Sequence, residues 1–532
     1  MRWLLDLLYG ARLEQQTAAY LERLSGARVR GSREHASGLV KRLASVGGPA
    51  LPLGSTDWGE AVAMPVQDFM KSHAFVSGAS GSGKTTFLLE KVRSLLGRFP
   101  ETRTMGFGIL DAKQDLFDGS LFLISRRLAE LERTAARDLR KRIVVLDFSL
   151  RDPISPYNIL ARWPGADPEF FAQSRADLLL ELLPGADGVS LGASALLRWA
   201  ILLLSEFGLP ITRLEAVLHD EQVRSGLLAR SKNAGVAAYF SRQFPVLPKQ
   251  TVAALSRRME ALFASEAVRL ALSGPSAPDF RALQDEGKIV LVNVFGADIS
   301  RSVRQLLQAL VLSDLAHATF ARRHHGNAFL WMADEAQNLF LTQRLRDHMM
   351  DLLTMARSFG THLVLVSQNM GAALQDARML AVLHTNIRWA FAMRGEPADS
   401  AFLRSALPVT GRRRKPRRDP FETPSFYSLD EERALVQGEI ANLPDRVGYF
   451  WLKDRSEEAV RISVPPVTVP PEPEVKNAIE ALRRDPTFGM RLSRREYAER
   501  VAARDREWCP EADVDLGVAL AGTYRRVRGG EA

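Results

Sequence analysis

Residues Gly78, Ala79, Ser80, Gly81, Ser82, Gly83, Lys84 and Thr85 match the pattern G-x-x-x-x-G-K-[ST] in full. This octapeptide constrains the chain more than any other stretch. Its chemistry needs a strand on one side and a helix on the other. The apolar run 73–76 supplies the first, and residues 86–92, Thr86 leading, supply the second. Glycines let the backbone wrap phosphates, and the free N–H groups at a helix start point at the anion. Lys84 reaches the β- and γ-phosphates in such a loop, and the Thr85 hydroxyl ligates Mg²⁺. The candidate nucleotide-binding residues are therefore Gly78 through Thr86, with ATP and Mg²⁺ as the expected ligands.

The chain of 532 residues has room for two or three domains. Its net charge of +9 suits a polyanionic partner such as nucleic acid, although the charge is spread over a long sequence. Cys509 is the sole cysteine, which excludes an internal disulfide framework and a cysteine metal site and fits a reducing cytosol. No run approaches the ~20 apolar residues that span a bilayer. The longest, 195–204, is broken by Arg198 and reads as a buried helix. Residues 1–9 are apolar around Asp6 and lack a cleavage site. They read as an amphipathic helix that packs on the chain's own body or docks on a partner or membrane surface.

Hydropathy patterning divides the chain into six segments. Residues 1–50 form an N-terminal helical segment. Residues 51–157 carry the phosphate loop and alternate strands with helices, the signature of a parallel sheet covered on both faces. Over 158–282 strand signals vanish and 3.6-residue periodicity takes over, which predicts an inserted all-α domain. Strand and helix alternation resumes over 283–462. Residues 447–452 look like an edge strand there. Prolines make 463–475 a stiff linker, and 476–532 read as a basic helical tail. The expected fold class is α/β, a P-loop NTPase core with a mostly parallel sheet plus the all-α insertion.

Residues 329–333 form an apolar strand that ends in Asp334 and Glu335. In a P-loop enzyme the first acid holds the Mg²⁺ shell and the second polarises the attacking water. The adjacent Glu favours hydrolysis over a slow binding switch. Lys84 and Asp334 lie 250 positions apart (334 minus 84), more than small kinases and GTPases use. No LSGGQ-like element is present, which disfavours an ABC transporter ATPase. Farther on, Arg357 precedes a strand and Gln368 closes it. Each has two readings. Arg357 is an arginine finger into a neighbouring subunit or a cation offsetting a helix dipole. Gln368 senses the γ-phosphate or orients water, or it is a solvated strand end.

In order, these motifs resemble the HerA/FtsK superfamily of P-loop motors, and within it the conjugative coupling ATPases of type IV secretion (TraG/TraD type). The strand ending in DAKQDL (111–116) resembles that family's D-x-K-G-[DE] signature, with Gln114 where glycine is usual. Asp147 with Ser155 through Leu160 resembles its entry into an all-helical domain. DEAQNLF (334–340) resembles its Walker B motif, ARSFG with Gln368 its arginine and glutamine motif, and Asn386, Arg388 and Arg394 its late N-x-R region. The likeness spans roughly residues 50–455, without the family's usual N-terminal membrane helices.

The resemblance implies a RecA-like core and a ring-forming, homo-hexameric ATPase that moves DNA, with ATP at subunit interfaces. Lys84, Thr85, Asp334 and Glu335 would act in cis, Gln368 would report nucleotide state, and Arg357 would act in trans. It implies a cytoplasmic protein, peripheral at the inner membrane only through a partner such as a secretion channel. A relaxase or a nuclease is the other partner class. Two rivals stand beside this reading: a HerA-like DNA pump that feeds a nuclease in resection or anti-phage defence, and a nucleotide-gated recruitment adaptor without processive translocation. The basic run 411–418 grips phosphates or an acidic partner, or is a solvated loop. His324 and His325 lack metal-ligand spacing and read as helix-end charges.

Overall fold

The structure, a computed structural model, describes residues 33–508 except 103, 184–189, 324–326, 369, 371–376, 397–402, 404–405, 410–412, 414, 417–424, 455–457 and 468–471. Expectations placed on residues 1–32, on His324 and His325, on Cys509 and on most of the basic run lie outside the described residues. Within these, eleven strands follow one another: β1 (Ala50–Thr56), β2 (Ala61–Pro65), β3 (His73–Ser77), β4 (Gly106–Asp111), β5 (Ile143–Asp147), β6 (Ile289–Asn293), β7 (Phe329–Ala333), β8 (Thr361–Ser367), β9 (Ile387–Met393), β10 (Val447–Leu452) and β11 (Val460–Ser463).

Two compact units divide the chain. The first holds the described residues up to 94, with those of 367–375 and 383–467. The second holds 95–366, 376–382 and those beyond 467.

In the first unit the strand order is β2-β1-β11-β10-β9-β3. Only β3 and β9 pair in parallel, and the other neighbours are antiparallel. The hairpin β1–β2 closes on a turn in which the Thr56 carbonyl accepts the Gly59 N–H (3.0 Å). The expected edge strand 447–452 is an interior strand, paired with β9 on one side and β11 on the other. Its half-buried Tyr449 and Trp451 alternate with buried neighbours, as one-sided coverage of an antiparallel strand also produces. Aromatic rings fill the core under β9: Phe69 stacks on Trp389 at 5.3 Å, and Phe87 packs on Phe391 at 4.9 Å.

The second unit is all parallel, in the order β8-β7-β4-β6-β5. Strands β4 to β8 are buried along their whole length, as expected of a parallel sheet covered on both faces. Between β4 and β5 the chain forms two helices, Asp115–Glu130 and Arg133–Arg142, parted at Leu131, which is extended.

From Pro168 to Asp285 the described segments are helical. Six of these helices start on a side-chain cap: Asp167, Ser190, Asp220, Asn233, Ser265 and Asp279. Helix Pro168–Leu182 is tied to helix Arg301–Phe320 through Asp314. That carboxylate accepts from Tyr157 (2.5 Å), Trp163 (2.7 Å) and the buried guanidinium of Arg175. Burial also drives His317, stacked on Trp163, down to about 4. Helix Leu191–Glu206 buries its apolar run, including Leu196, Leu197 and Ile201. Among the described residues no single helix is long and apolar enough to cross a membrane.

The C-terminal helices Glu472–Arg484 and Arg494–Trp508 pack onto the second unit. Arg483 pairs with the buried Asp147 (2.8 Å), Arg213 pairs with Asp505, and the Tyr497 hydroxyl donates to the Leu270 carbonyl (2.7 Å). Arg483, which reads as part of a basic tail, is thus a structural counter-charge. In the basic run, Arg413 pairs with Glu439 (2.9 Å) and Lys415 with Glu431 (2.7 Å).

Candidate nucleotide-hydrolysis site

The first unit builds the phosphate loop. Buried strand β3 delivers the chain to Gly78, and helix Lys84–Gly97 takes it away. Backbone bonds fix the loop's path. Gly78 N–H donates to the Ser367 carbonyl (3.2 Å), Ala79 N–H to that of Arg394 (2.6 Å), and Arg446 N–H to that of Ser82 (2.8 Å). Gly83 sits at φ +103°, and a Cβ there would lie 2.7 Å from the Arg446 side chain. Glycine is therefore required by both backbone conformation and close approach. Lys84 is buried, and its ammonium donates to the carbonyls of Gly78 (2.5 Å) and Ala79 (2.8 Å). The Ser82 hydroxyl is buried without a hydrogen-bond partner, whereas Ser80 and Gly81 face solvent. Thr85 and Thr86 are half-buried on the first turn of the helix.

Sequence reading named Arg394 without placing it at this loop, and missed Arg446. Arg394, one residue past β9, pairs with Asp445 (2.8 Å), and its guanidinium stands 3.9 Å from where a Gly81 Cβ would be. Arg446 has a left-handed backbone (φ +63°) beside Gly83. No sequence pattern marks Arg446, because its role arises from a turn that approaches the loop from over 350 positions away. Gln368 follows Ser367, whose carbonyl holds Gly78, so the expected sensor is joined to the phosphate loop's own support.

The second unit builds the acid pair. Strand β7 leads directly into Asp334, whose N–H donates to the Leu110 carbonyl of β4 (2.9 Å). Burial, with Asp111 and Glu335 nearby, pushes the Asp334 carboxyl up to about 7. Asp111, fully buried at the end of β4, is also raised by burial. Its two oxygens accept from Lys113 N–H (2.7 Å) and Phe117 N–H (2.8 Å), which folds the turn of the DAKQDL stretch. Gln114 takes φ +79° there. The left-handed turn that glycine favours is kept with a glutamine, at a cost of about 1 kcal/mol.

Glu335 is also left-handed (φ +52°, ψ +42°), an uncommon backbone for a side-chain-bearing residue and one concentrated at functional sites. Its Oε1 pairs with the Lys113 ammonium, and its Oε2 accepts from the Gln337 amide. Gln308 lies beneath, buried on helix Arg301–Phe320. It donates to the Asp334 carbonyl (3.4 Å) and accepts from Asn338 (2.9 Å). A fully buried amide on an apolar helix was the signal that would have found Gln308.

Arg357 is exposed, in the 3₁₀ turn Ala356–Phe359 that enters β8. Strands β7 and β8 are parallel, so Arg357 stands at their starting edge and the acid pair at their finishing edge. A strand of this length spans about 20 Å. Arg357 and Glu335 are therefore not brought together within this unit.

No family model and no curated protein matches the chain. Among solved structures, the bacterial conjugative coupling protein TrwB (TrwBdeltaN70, unbound form) superposes with a TM-score of 0.50 at 16% identity, covering 85% of this chain and 95% of that one. TrwB in complex with ADP and Mg²⁺ gives 0.49 with the same identity and coverage. VirB4 of Thermoanaerobacter pseudethanolicus gives 0.49 at 13% identity, covering 80% and 98%. In fold, the chain is similar to a bacterial conjugative coupling protein, an α/β P-loop architecture over most of both chains.

Proposed function

We propose that the chain is a Mg²⁺-dependent ATPase that moves DNA, working as a homo-hexameric ring in a conjugative or type IV secretion-like pathway. The observation that carries the hydrolase reading is the pairing of motifs. A phosphate loop of the required strand–loop–helix form lies in one unit, and a buried Asp334 beside a left-handed Glu335 lies in the other. The residues fit the ligands. The buried, unpartnered Ser82 hydroxyl and the glycine-lined loop suit phosphate oxygens. Buried carboxylate oxygens at Asp334 suit a hard divalent cation that keeps several waters.

In this reading Lys84 and the loop N–H groups bind the β- and γ-phosphates, and Thr85 and Asp334 hold Mg²⁺. The bound cation would neutralise charge that develops on the phosphate oxygens. Glu335 takes a proton from water as the water oxygen bonds to the γ-phosphorus. The bond from that phosphorus to the β–γ bridging oxygen breaks, and ADP leaves with the electron pair. Gln368 reports the state of the phosphate loop. Arg357 serves the next subunit's site, a role supported by its exposure and its place at the far edge of the sheet. The reading places the protein in the cytoplasm, at the inner membrane only through a secretion-channel or relaxase partner.

The test is ATP turnover with and without DNA, joined to triplex displacement. Lys84→Ala and Glu335→Gln are expected to lower kcat by about 10²–10⁴ with the fold intact. Wild-type turnover by Glu335→Gln would remove the base assignment. Hydrolysis without triplex displacement would leave a nucleotide-gated recruitment adaptor in place of a motor.

A further inference from the structure

We infer that Lys113 is a positioning residue that restrains Glu335 and so sets the resting rate of hydrolysis. The inference rests on the reading of Glu335 as the base. Both oxygens of the Glu335 carboxylate are engaged, Oε1 by the Lys113 ammonium and Oε2 by the Gln337 amide. The two partners differ in kind. Gln337 is neutral, sits two residues along the same turn, and moves with Glu335. Lys113 is charged and comes from a different strand end.

The backbone of Lys113 is pinned. Its N–H is held by Asp111 (2.7 Å), and the next residue is locked in the left-handed region. Its side chain keeps 35% of its surface exposed, against 14% for Glu335. The lysine stem is therefore the part of the pair free to swing. A general base works through a lone pair, and an ammonium paired with that oxygen occupies it. Water then gives its proton to Oε1 only after Lys113 has released it. The proton ends on Glu335, and the lysine keeps its own throughout.

An ion pair this exposed restrains by an amount equal to about fivefold in rate. The test is steady-state ATP hydrolysis without DNA, read as kcat and KM separately, for Lys113→Met, Lys113→Gln and Lys113→Arg. Thermal melts report the fold. Lys113→Met and Lys113→Gln are expected to raise kcat about fivefold with KM for ATP within twofold. Lys113→Arg is expected to restore the wild-type rate. A kcat at or below wild type in both uncharged variants, or a change confined to KM, overturns the restraint. The measurement is run beside Glu335→Gln. If Glu335→Gln hydrolyses normally, the base reading fails and the restraint fails with it. If Glu335→Gln is inactive and the lysine variants are no faster, only the restraint fails.

Discussion

Lys91 lies on the helix that leaves the phosphate loop, wholly buried over the Phe87 ring (4.4 Å) with its ammonium on the Pro52 carbonyl. Burial lowers its pKa from 10.5 to about 7, and the nearby Glu90 offsets only part of that. The folded state therefore disfavours the charged form. Below pH 7 both folded and unfolded chains carry the proton, and the full penalty applies. Between pH 7 and 10.5 the unfolded chain keeps the proton while the folded chain releases it, so stability rises with pH across that window. The drop from 10.5 to about 7 corresponds to about 5 kcal/mol at pH 6, falling to about 1 kcal/mol at pH 10.

Lys91→Met removes the titration and also strips the Pro52 carbonyl of its donor, which costs about 1–3 kcal/mol at every pH. The variant is then expected to be about 2–4 kcal/mol more stable than wild type at pH 6 and equal or less stable at pH 10. Urea unfolding of both proteins at pH 6, 8 and 10, followed by circular dichroism, measures the difference. The cancelling quantity is the change between the two pH values, about 4 kcal/mol, to which the lost hydrogen bond does not contribute. A gap between variant and wild type that is the same at pH 6 and pH 10 would refute the reasoning.

Arg175→Met leaves the buried Asp314 carboxylate without its counter-charge and should cost about 3–5 kcal/mol in urea unfolding. A double-mutant cycle with Asp314→Asn should show coupling above about 1 kcal/mol, and strict additivity would refute the pairing. Arg357→Ala and Lys84→Ala subunits, each inactive alone, should recover part of the ATPase when mixed, because one supplies the phosphate loop and the other the arginine. No recovery at any mixing ratio would count against action in trans.

The parallel core and the site's two motifs were legible because local rules govern them. A phosphate loop is contiguous, and strands β4 and β7 announce themselves as apolar runs that end in acids. What escaped depends on distant partners. Nothing local distinguishes Arg483, which neutralises Asp147, from the arginines around it. The position of β10 inside the sheet depends on its pairing with β9, across a long intervening stretch of chain, and its alternation fits an edge or an interior place equally. Gln114, standing where glycine is usual, adopts the αL conformation that glycine favours, and α-helical structure starts directly after it.

The packing of the last two helices limits how the polypeptide can be dissected. The Pro-rich stretch has the composition of a domain boundary and would attract a truncation. Ending the chain there would delete Arg483 and leave the buried Asp147 carboxylate, among the described residues, with the Ser149 N–H and hydroxyl and the Asn293 amide but no counter-charge. It would also strip Leu492, Tyr497 and Val501 from the apolar cluster they form with Ile154 and Leu270. Deletion of one member of a buried ion pair costs about 3–5 kcal/mol before the lost apolar contacts are added. A shortened protein that aggregates or loses activity would then report a damaged scaffold, and conclusions about a regulatory tail drawn from it would be misplaced.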